Sequence, residues 1–333
     1  MTEGFGPKVP GFDHFNFADH KGLKKAITKK TAAIMIETAM GESGIKVIPD
    51  WCLRDLRKIS NKVQVYECDL CDLSSVIRTL EISKPDLIFN LASHANVRAC
   101  FDTPITVVQN NILSTLNLLE AIRLIKSSPL LVHCSTSEVY GQVDKSQIPI
   151  NESCPINPIN PYSVSKCTQD QLVYSYGKAY DIPAIRTRMF AYINPRRADL
   201  FATSWARQIV SIERGEQNIL KHGNLKSLRT LIDARDAMDC YWNVALYGEI
   251  GEAYNLGGKN SLMVGEFLEK LVKYSSADIN CEPDPKLFRP VDITLQVPDT
   301  TKYEALCNWK PIYTLEESVE FLLKEVRQLM RTN

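Results

Sequence analysis

The chain has 333 residues, with 39 Lys and Arg against 39 Asp and Glu, 44% hydrophobic and 23% charged residues. That balance belongs to an ordinary globular protein and excludes disordered and collagen-like chains. Zero net charge and five scattered histidines leave no electrostatic footprint for nucleic acid or an anionic membrane. No apolar run approaches the roughly 18 residues of a membrane span, and MTEGFGPKVP lacks the plan of a signal peptide, so the expected location is the cytoplasm.

Residues 1–60 begin with a basic stretch, Lys21, Lys24, Lys25, Lys29 and Lys30, which reads as a solvated face. An apolar strand TAAIMIE (31–37), a loop AMGESGIKVIP and a helix from about Asp50 to Ser60 are expected next. From Val63 onward, short β-branched runs alternate with helix-length amphipathic stretches, the pattern of an α/β protein with a parallel sheet. Expected strands are 63–68, 86–92, 130–135 and 184–190, and expected helices 73–81, 106–126, 161–180 and 200–214. After about residue 215 glycines become dense and strands shorter, which predicts a smaller mixed lobe with helices at 234–247, 263–274 and 315–331. Ten cysteines run from Cys52 to Cys307, with only Cys68 and Cys71 at C-x-x-C spacing. One such pair cannot make a four-thiolate zinc site, so the thiols read as reduced and buried, with no disulfide and no metal expected.

In a doubly wound fold the first strand-to-helix turn holds a dinucleotide pyrophosphate through closely spaced glycines. GFGPKVPG has the wrong spacing and follows no strand. Gly41 and Gly44 follow one but give only G-x-x-G around Glu42, a negative charge where phosphate would sit. Both read as turns.

Tyr162 and Lys166 stand four apart in PYSVSK, on one face of an expected helix, where a neighbouring ammonium would lower the phenol pKa from near 10. Upstream, CSTSEVYG (134–141) delivers Ser135, Thr136, Ser137 and Glu138 to the end of a strand, where α/β folds place their chemistry. His133 reads as a core residue and His94 as a turn residue.

Residues 61–333 resemble extended short-chain dehydrogenases/reductases (NAD-dependent epimerases/dehydratases), and among them the GDP-mannose 4,6-dehydratases. Asp69, Leu70 and Asp72 match the family's D-L-x-D turn, Asn90, Leu91 and Ala92 its N-L-A turn, Asn111 a structural asparagine, and Thr136, Ser137 and Glu138 its T-S-E triplet. The resemblance implies a Rossmann-like parallel sheet, here incomplete, with a smaller mixed C-terminal substrate lobe. It also implies a lyase that oxidises a nucleotide sugar transiently with bound NADP or NAD and removes water. Catalysis would fall to Thr136, Glu138, Tyr162 and Lys166. Cofactor contacts would come from Asp69, Leu70, Leu91, Ala92, Ser93, Tyr162 and Lys166. Ser137, Asn194, Arg196, Arg229, Arg289 and Asp292 would bind the substrate, GDP-mannose being favoured, with the arginines on its diphosphate or nucleoside. A homodimer or homotetramer is implied, through helices 106–126 and 161–180. A 4-epimerase or reductase, and an inactive sugar-nucleotide binder, are the alternatives.

The chain departs from this pattern at its start. Residues 3–60 resemble an internal piece of a class III aminotransferase of the acetylornithine type, with Glu37, Gly41, Glu42 and Gly44 matching E-x-x-x-G-E-x-G. The piece carries no pyridoxal-phosphate lysine, so aminotransferase activity is rejected. Ala95 and Asn96 stand where dehydratases commonly show Ser-His. Three regions are expected: 1–60 in place of the glycine-rich first βαβ unit, 61–214 as the remainder of the NAD(P) domain, and 215–333 as the nucleotide-sugar lobe. A gap in the sheet between strands 63–68 and 86–92, and weakened cofactor binding, should follow.

Overall fold

The computed structural model describes residues 39–40, 46–47, 64 and 66–331. The basic stretch, the expected strand 31–37, the expected helix 50–60 and most of the aminotransferase-like piece lie outside the described residues. Within the expected loop, β1 (Ala39–Met40) and β2 (Lys46–Val47) pair antiparallel as a short ladder. Residues 64 and 66–68 carry no strand, which corrects the reading of 63–68. An apolar, β-branched run becomes a strand only beside a partner that takes up its backbone groups.

The chain continues through α1 (Leu73–Ser83), β3 (Leu87–Asn90), the short α2 (Ala99–Asp102), α3 (Pro104–Leu124), β4 (Leu130–Thr136), α4 (Pro161–Tyr180) and β5 (Ala184–Met189). After β6 (Tyr192–Ile193) come α5 (Phe201–Glu213), β7 (Ile219–His222), β8 (Leu228–Thr230), β9 (Ile232–Asp233), α6 (Ala234–Tyr247) and β10 (Ala253–Leu256). The last elements are β11 (Ser261–Met263), α7 (Val264–Lys273), β12 (Asn280–Pro283), β13 (Leu295–Gln296), α8 (Thr301–Cys307) and α9 (Leu315–Arg331).

The main sheet has the order β10-β5-β4-β3 and is parallel throughout. Its two faces follow from the alternation of side chains along each strand. Ala184 of β5 joins Val76, Leu119, Ile122 and Val173 under α1, α3 and α4, whereas Ile185 joins Cys240, Val244 and Tyr303 under α6 and α8. A Rossmann-like, doubly wound sheet results, with β3 as its outer strand among the described residues. A third apolar core gathers α5, α7 and α9 through Trp205, Ile209, Phe267, Leu271 and Leu322. The order β11-β8-β13 and the pairs β12-β7 and β6-β9 supply the short strands of this mixed part.

Local chemistry sets the helix that matters most. Asn160 caps α4, its side chain accepting from the Ser163 amide at 2.8 Å, while the Ser163 hydroxyl returns to the Asn160 amide at 3.0 Å. Pro161 at the first position costs nothing there because that amide would bond to no carbonyl. Further along α4, the fully buried Asp170 accepts from Arg186 at 3.0 Å and from Arg188 Nε and Nη2 at 3.1 and 3.0 Å. Burial alone would raise its pKa, but the bonds and charge of Arg188, with the charge of Arg186, hold it below the usual carboxylate range.

The contribution of Asp170 to stability is therefore complete above its unfolded pKa of about 3.9 and is lost as pH falls below that through the folded value. Asp170→Asn is expected to cost about 3–5 kcal/mol at neutral pH, because two buried guanidinium groups lose their counter-charge. Urea unfolding at pH 7, pH 4 and pH 2 checks this: the gap between wild type and variant should be nearly as wide at pH 4 as at pH 7 and narrow only toward pH 2.

Candidate active site

β4 ends at Thr136, and its next residues turn into a 3-10 helix, Ser137–Tyr140. Thr136 starts that turn by accepting from the Glu138 amide at 3.3 Å. Gly141 ends it at φ +64°, where an added Cβ would stand 1.8 Å from the Asn157 carbonyl oxygen, so no side chain fits. Glu138 is thereby fixed beside the start of α4, and Asn160 Nδ2 donates to Glu138 Oε2 at 3.0 Å. One asparagine both caps the helix and holds the carboxylate.

Tyr162 lies buried in the first turn of α4, packed with Cys100, Val107 and Ala95. Its hydroxyl lies near Thr136 and feels the charges of Glu138 and Arg197. Burial first, and Glu138 second, push its pKa above the usual phenol value, with Arg197 and Thr136 opposing them. This corrects the expectation of a phenol made acidic by Lys166. The Lys166 ammonium donates instead to the Cys134 carbonyl at 2.7 Å, and burial brings its pKa down to about 8. Spacing put both side chains on one face; the strand carbonyl beneath that face took the ammonium.

Asn111 links the neighbouring elements, its Nδ2 donating to Ser165 Oγ at 2.9 Å and its Oδ1 accepting from the His94 amide at 2.6 Å. His133 is fully buried and kept neutral, its pKa pushed down to about 3 by burial and then by the Lys166 charge.

At the end of β3, Asn90 is buried against Thr115 and His133, and the chain turns through Leu91 and Ala92, with Leu91 exposed. Ser93 Oγ follows, buried and without a hydrogen-bond partner. Asp69 and Leu70 sit in the turn that starts α1. Asp69 accepts from the Cys71 amide at 2.8 Å, the Leu70 carbonyl accepts from Asn117 at 2.9 Å, and Asp72 caps the helix.

Of the residues expected to bind substrate, Arg229, Arg289 and Asp292 lie in the mixed part. Arg229 is buried, donates to the Ile293 carbonyl and feels Asp292, Glu138 and Arg289; burial lowers its pKa. Asp292 accepts from Asn224 at 2.8 Å and from Ser227 at 3.3 Å, and Arg289 stands 3.9 Å from it. Asn194 accepts from the Arg196 amide at 3.0 Å, tying its side chain into its own loop. The loop's other arginine, Arg197, reaches the catalytic side: it donates to the Ala95 carbonyl at 2.7 Å and pairs with Asp199 at 3.0 Å. Ser137 is buried in the turn. Sequence reading chose Arg196 and passed over Arg197 and Asn160. For Asn160 the signal was available, a cap residue followed by proline; for Arg197 nothing distinguished it from its neighbour.

These groups test the fit of a nicotinamide dinucleotide. Its nicotinamide end finds polar groups of the right kind: the Tyr162 hydroxyl, the Lys166 ammonium and the unpartnered Ser93 hydroxyl. Its diphosphate end does not find a glycine turn, because the sequence has no glycine between Gly44 and Gly141.

The GDP-mannose 4,6 dehydratase family matches residues 45–322. The chain is 29% identical over 249 residues to the GDP-6-deoxy-D-mannose reductase of Pseudomonas aeruginosa, covering 74% of this chain and 82% of that one. It is 28% identical over 294 residues to the GDP-mannose 4,6 dehydratase of Drosophila melanogaster, covering 82% of this chain and 74% of the relative. The solved structure of RMD from P. aeruginosa complexed with NADPH superposes with a TM-score of 0.74 at 27% identity, over 80% of this chain and 90% of that one. With these matches over most of its length, the chain belongs to the GDP-mannose 4,6-dehydratase family.

Proposed function

We propose that this chain is a nucleotide-sugar 4,6-dehydratase acting on GDP-mannose with NADP or NAD, and that Thr136, Glu138, Tyr162 and Lys166 carry its chemistry. The observation that carries this reading is the carboxylate of Glu138, held by Asn160 next to Thr136 and the Tyr162 phenol. A dehydratase needs such a base besides the tyrosine. Tyr162 Oη takes the proton of the sugar 4-hydroxyl, with Lys166 one helical turn beyond it. The ketone at carbon 4 acidifies carbon 5, whose proton passes to Glu138. The hydroxyl at carbon 6 leaves as water with a proton returned through Glu138 and Thr136. A nicotinamide held near Tyr162, Lys166 and Ser93 would supply the hydride chemistry, taking hydride from carbon 4 and returning it to carbon 6.

Asp69, Leu70, Leu91, Ala92, Ser93, Tyr162 and Lys166 would hold the cofactor, and Ser137, Asn194, Arg196, Arg229, Arg289 and Asp292 the sugar nucleotide, with Arg197 added beside Tyr162. In this reading residues 61–214 form the cofactor side and 215–333 the sugar-nucleotide lobe, while 1–60, with an aminotransferase-like piece at 3–60, replace the first βαβ unit. Exposed Leu113 of α3 and Val164 and Tyr174 of α4 fit a homodimer through those helices. No helix among the described residues is long and apolar enough to cross a membrane, in keeping with a cytoplasmic place.

A second reading, a reductase of a 4-keto sugar nucleotide, is favoured by the raised Tyr162 pKa, since a protonated phenol is the form that donates to a ketone oxygen. Product analysis separates the two. With GDP-mannose and NADP or NAD, the dehydratase yields a product lighter by one water and no net change in cofactor. Tyr162→Phe and Glu138→Gln are each expected to lower turnover by about 100-fold or more while binding of GDP-mannose stays within about threefold. Consumption of NADPH by a 4-keto sugar nucleotide, with GDP-mannose inert, would establish the reductase.

Two binding measurements accompany this. Arg289→Ala removes one charged contact to the substrate and is expected to raise KM by about tenfold with kcat unchanged. NADPH titration followed by nicotinamide fluorescence should saturate, but on the order of 100-fold more weakly than a complete glycine turn would give, each lost charge-assisted bond being worth about 1.5–3 kcal/mol. A folded protein that shows no saturation at millimolar cofactor would sink the enzyme reading.

A further inference from the structure

The short strands of the mixed part hold one polar group that no contact explains. β13 pairs parallel with β8, with Gln296 opposite Arg229 and Leu295 opposite Leu228. Side chains alternate along a strand and register partners share a face, so Gln296 lies on the face of Arg229 and Leu295 on the other. Leu295 packs against the apolar cluster of Val139, Tyr140, Ile150 and Phe190. Gln296 is 5% exposed, and its Nε2 is buried without a hydrogen-bond partner. Among the described residues from 215 onward, it is the one side chain with such an atom.

A buried donor without an acceptor is costly, and a free side chain would swing to water or to a carbonyl. The backbone around Gln296 is bonded on both edges: the Leu228 amide donates to the Thr294 carbonyl at 2.7 Å, the Ile150 amide to the Val297 carbonyl at 2.8 Å, and the Asp299 amide to the Ile150 carbonyl at 2.7 Å. The side chain is thereby kept beside Arg229, whose guanidinium feels Asp292, Glu138 and Arg289. We propose that Gln296 is a substrate-binding residue, its side-chain amide donating to a hydroxyl of the sugar ring. A guanidinium fork matches phosphate, whereas a neutral buried amide matches a neutral hydroxyl. A sugar hydroxyl supplies the acceptor that the chain itself does not. A site built to hydrogen-bond a hydroxyl discriminates strongly against ligands that lack it, so Gln296 sets a preference for the sugar rather than for the nucleotide. The inference rests on the reading of the site as one for a nucleotide sugar and adds to it a residue that recognises the sugar.

Calorimetric titration of the full-length protein with GDP-mannose and, separately, with GDP tests it, together with thermal melting. Gln296→Leu is expected to weaken GDP-mannose about tenfold, the factor of one hydrogen bond, while GDP binding stays within about threefold. The same variant should melt no lower than wild type, because it removes an unpartnered buried donor. Gln296→Met, which keeps the length of the side chain without the donor, should behave alike. A glutamine with only a structural role would act the other way, with a lower melting temperature and both ligands weakened together. Unchanged GDP-mannose affinity in both variants would overturn the proposal. So would an equal loss for GDP, which would put the amide on the phosphates or the nucleoside. A wild type that binds GDP but gains nothing from the sugar overturns the proposal and leaves a nucleotide site standing; one that binds neither ligand overturns the nucleotide-sugar reading with it.

Discussion

The position of the site depends on one buried charge. Asp170 sits on α4 two turns beyond Tyr162 and is gripped by Arg186 and Arg188 of β5. Because Arg188 also donates to the Tyr140 hydroxyl, and Tyr140 to Asn255 of β10, the same network joins four elements: α4, β5, the 3-10 helix and β10. Helix α4 therefore cannot slide or rotate on the sheet without leaving ions unpaired at low dielectric, a far larger penalty than losing a few apolar contacts. Tyr162 and Lys166, one turn apart on that helix, inherit their positions from this anchor.

The mixed part is organised on another principle. Its core between α5, α7 and α9 is apolar, and its polar residues Arg289, Asn224 and Ser227 gather around Asp292 instead. Arg229 feels Glu138, so the two parts meet where one supplies a carboxylate and the other guanidinium groups.

Much of this was legible beforehand because it depends on local rules. Helices 161–180, 234–247 and 315–331 begin and end where their spacing predicts, and β4 and β5 fall within a residue of the expected strands. Run 63–68 failed because strand formation depends on a partner that the run itself does not encode. The charge relation of Tyr162 and Lys166 failed for a similar reason: periodicity gives the shared face of a helix, but not the Cys134 carbonyl waiting below it. Arg197 lies beside Arg196 on an irregular loop, where no periodicity marks which residue reaches the Ala95 carbonyl. Asn160 was overlooked although its pattern was readable, since a capping residue is ordinarily credited with one task.

Its two tasks are not separable. The amide side chain that starts α4 through its oxygen orients Glu138 through its nitrogen, so the first turn of the helix and the placement of the acid form a single adjustable part. Stabilising changes elsewhere in the protein could compensate a substitution at this position as far as folding is concerned, but no distant change restores the direction of the carboxylate. A substitution at residue 160 thus releases Glu138 even in a background robust enough to tolerate a lost cap.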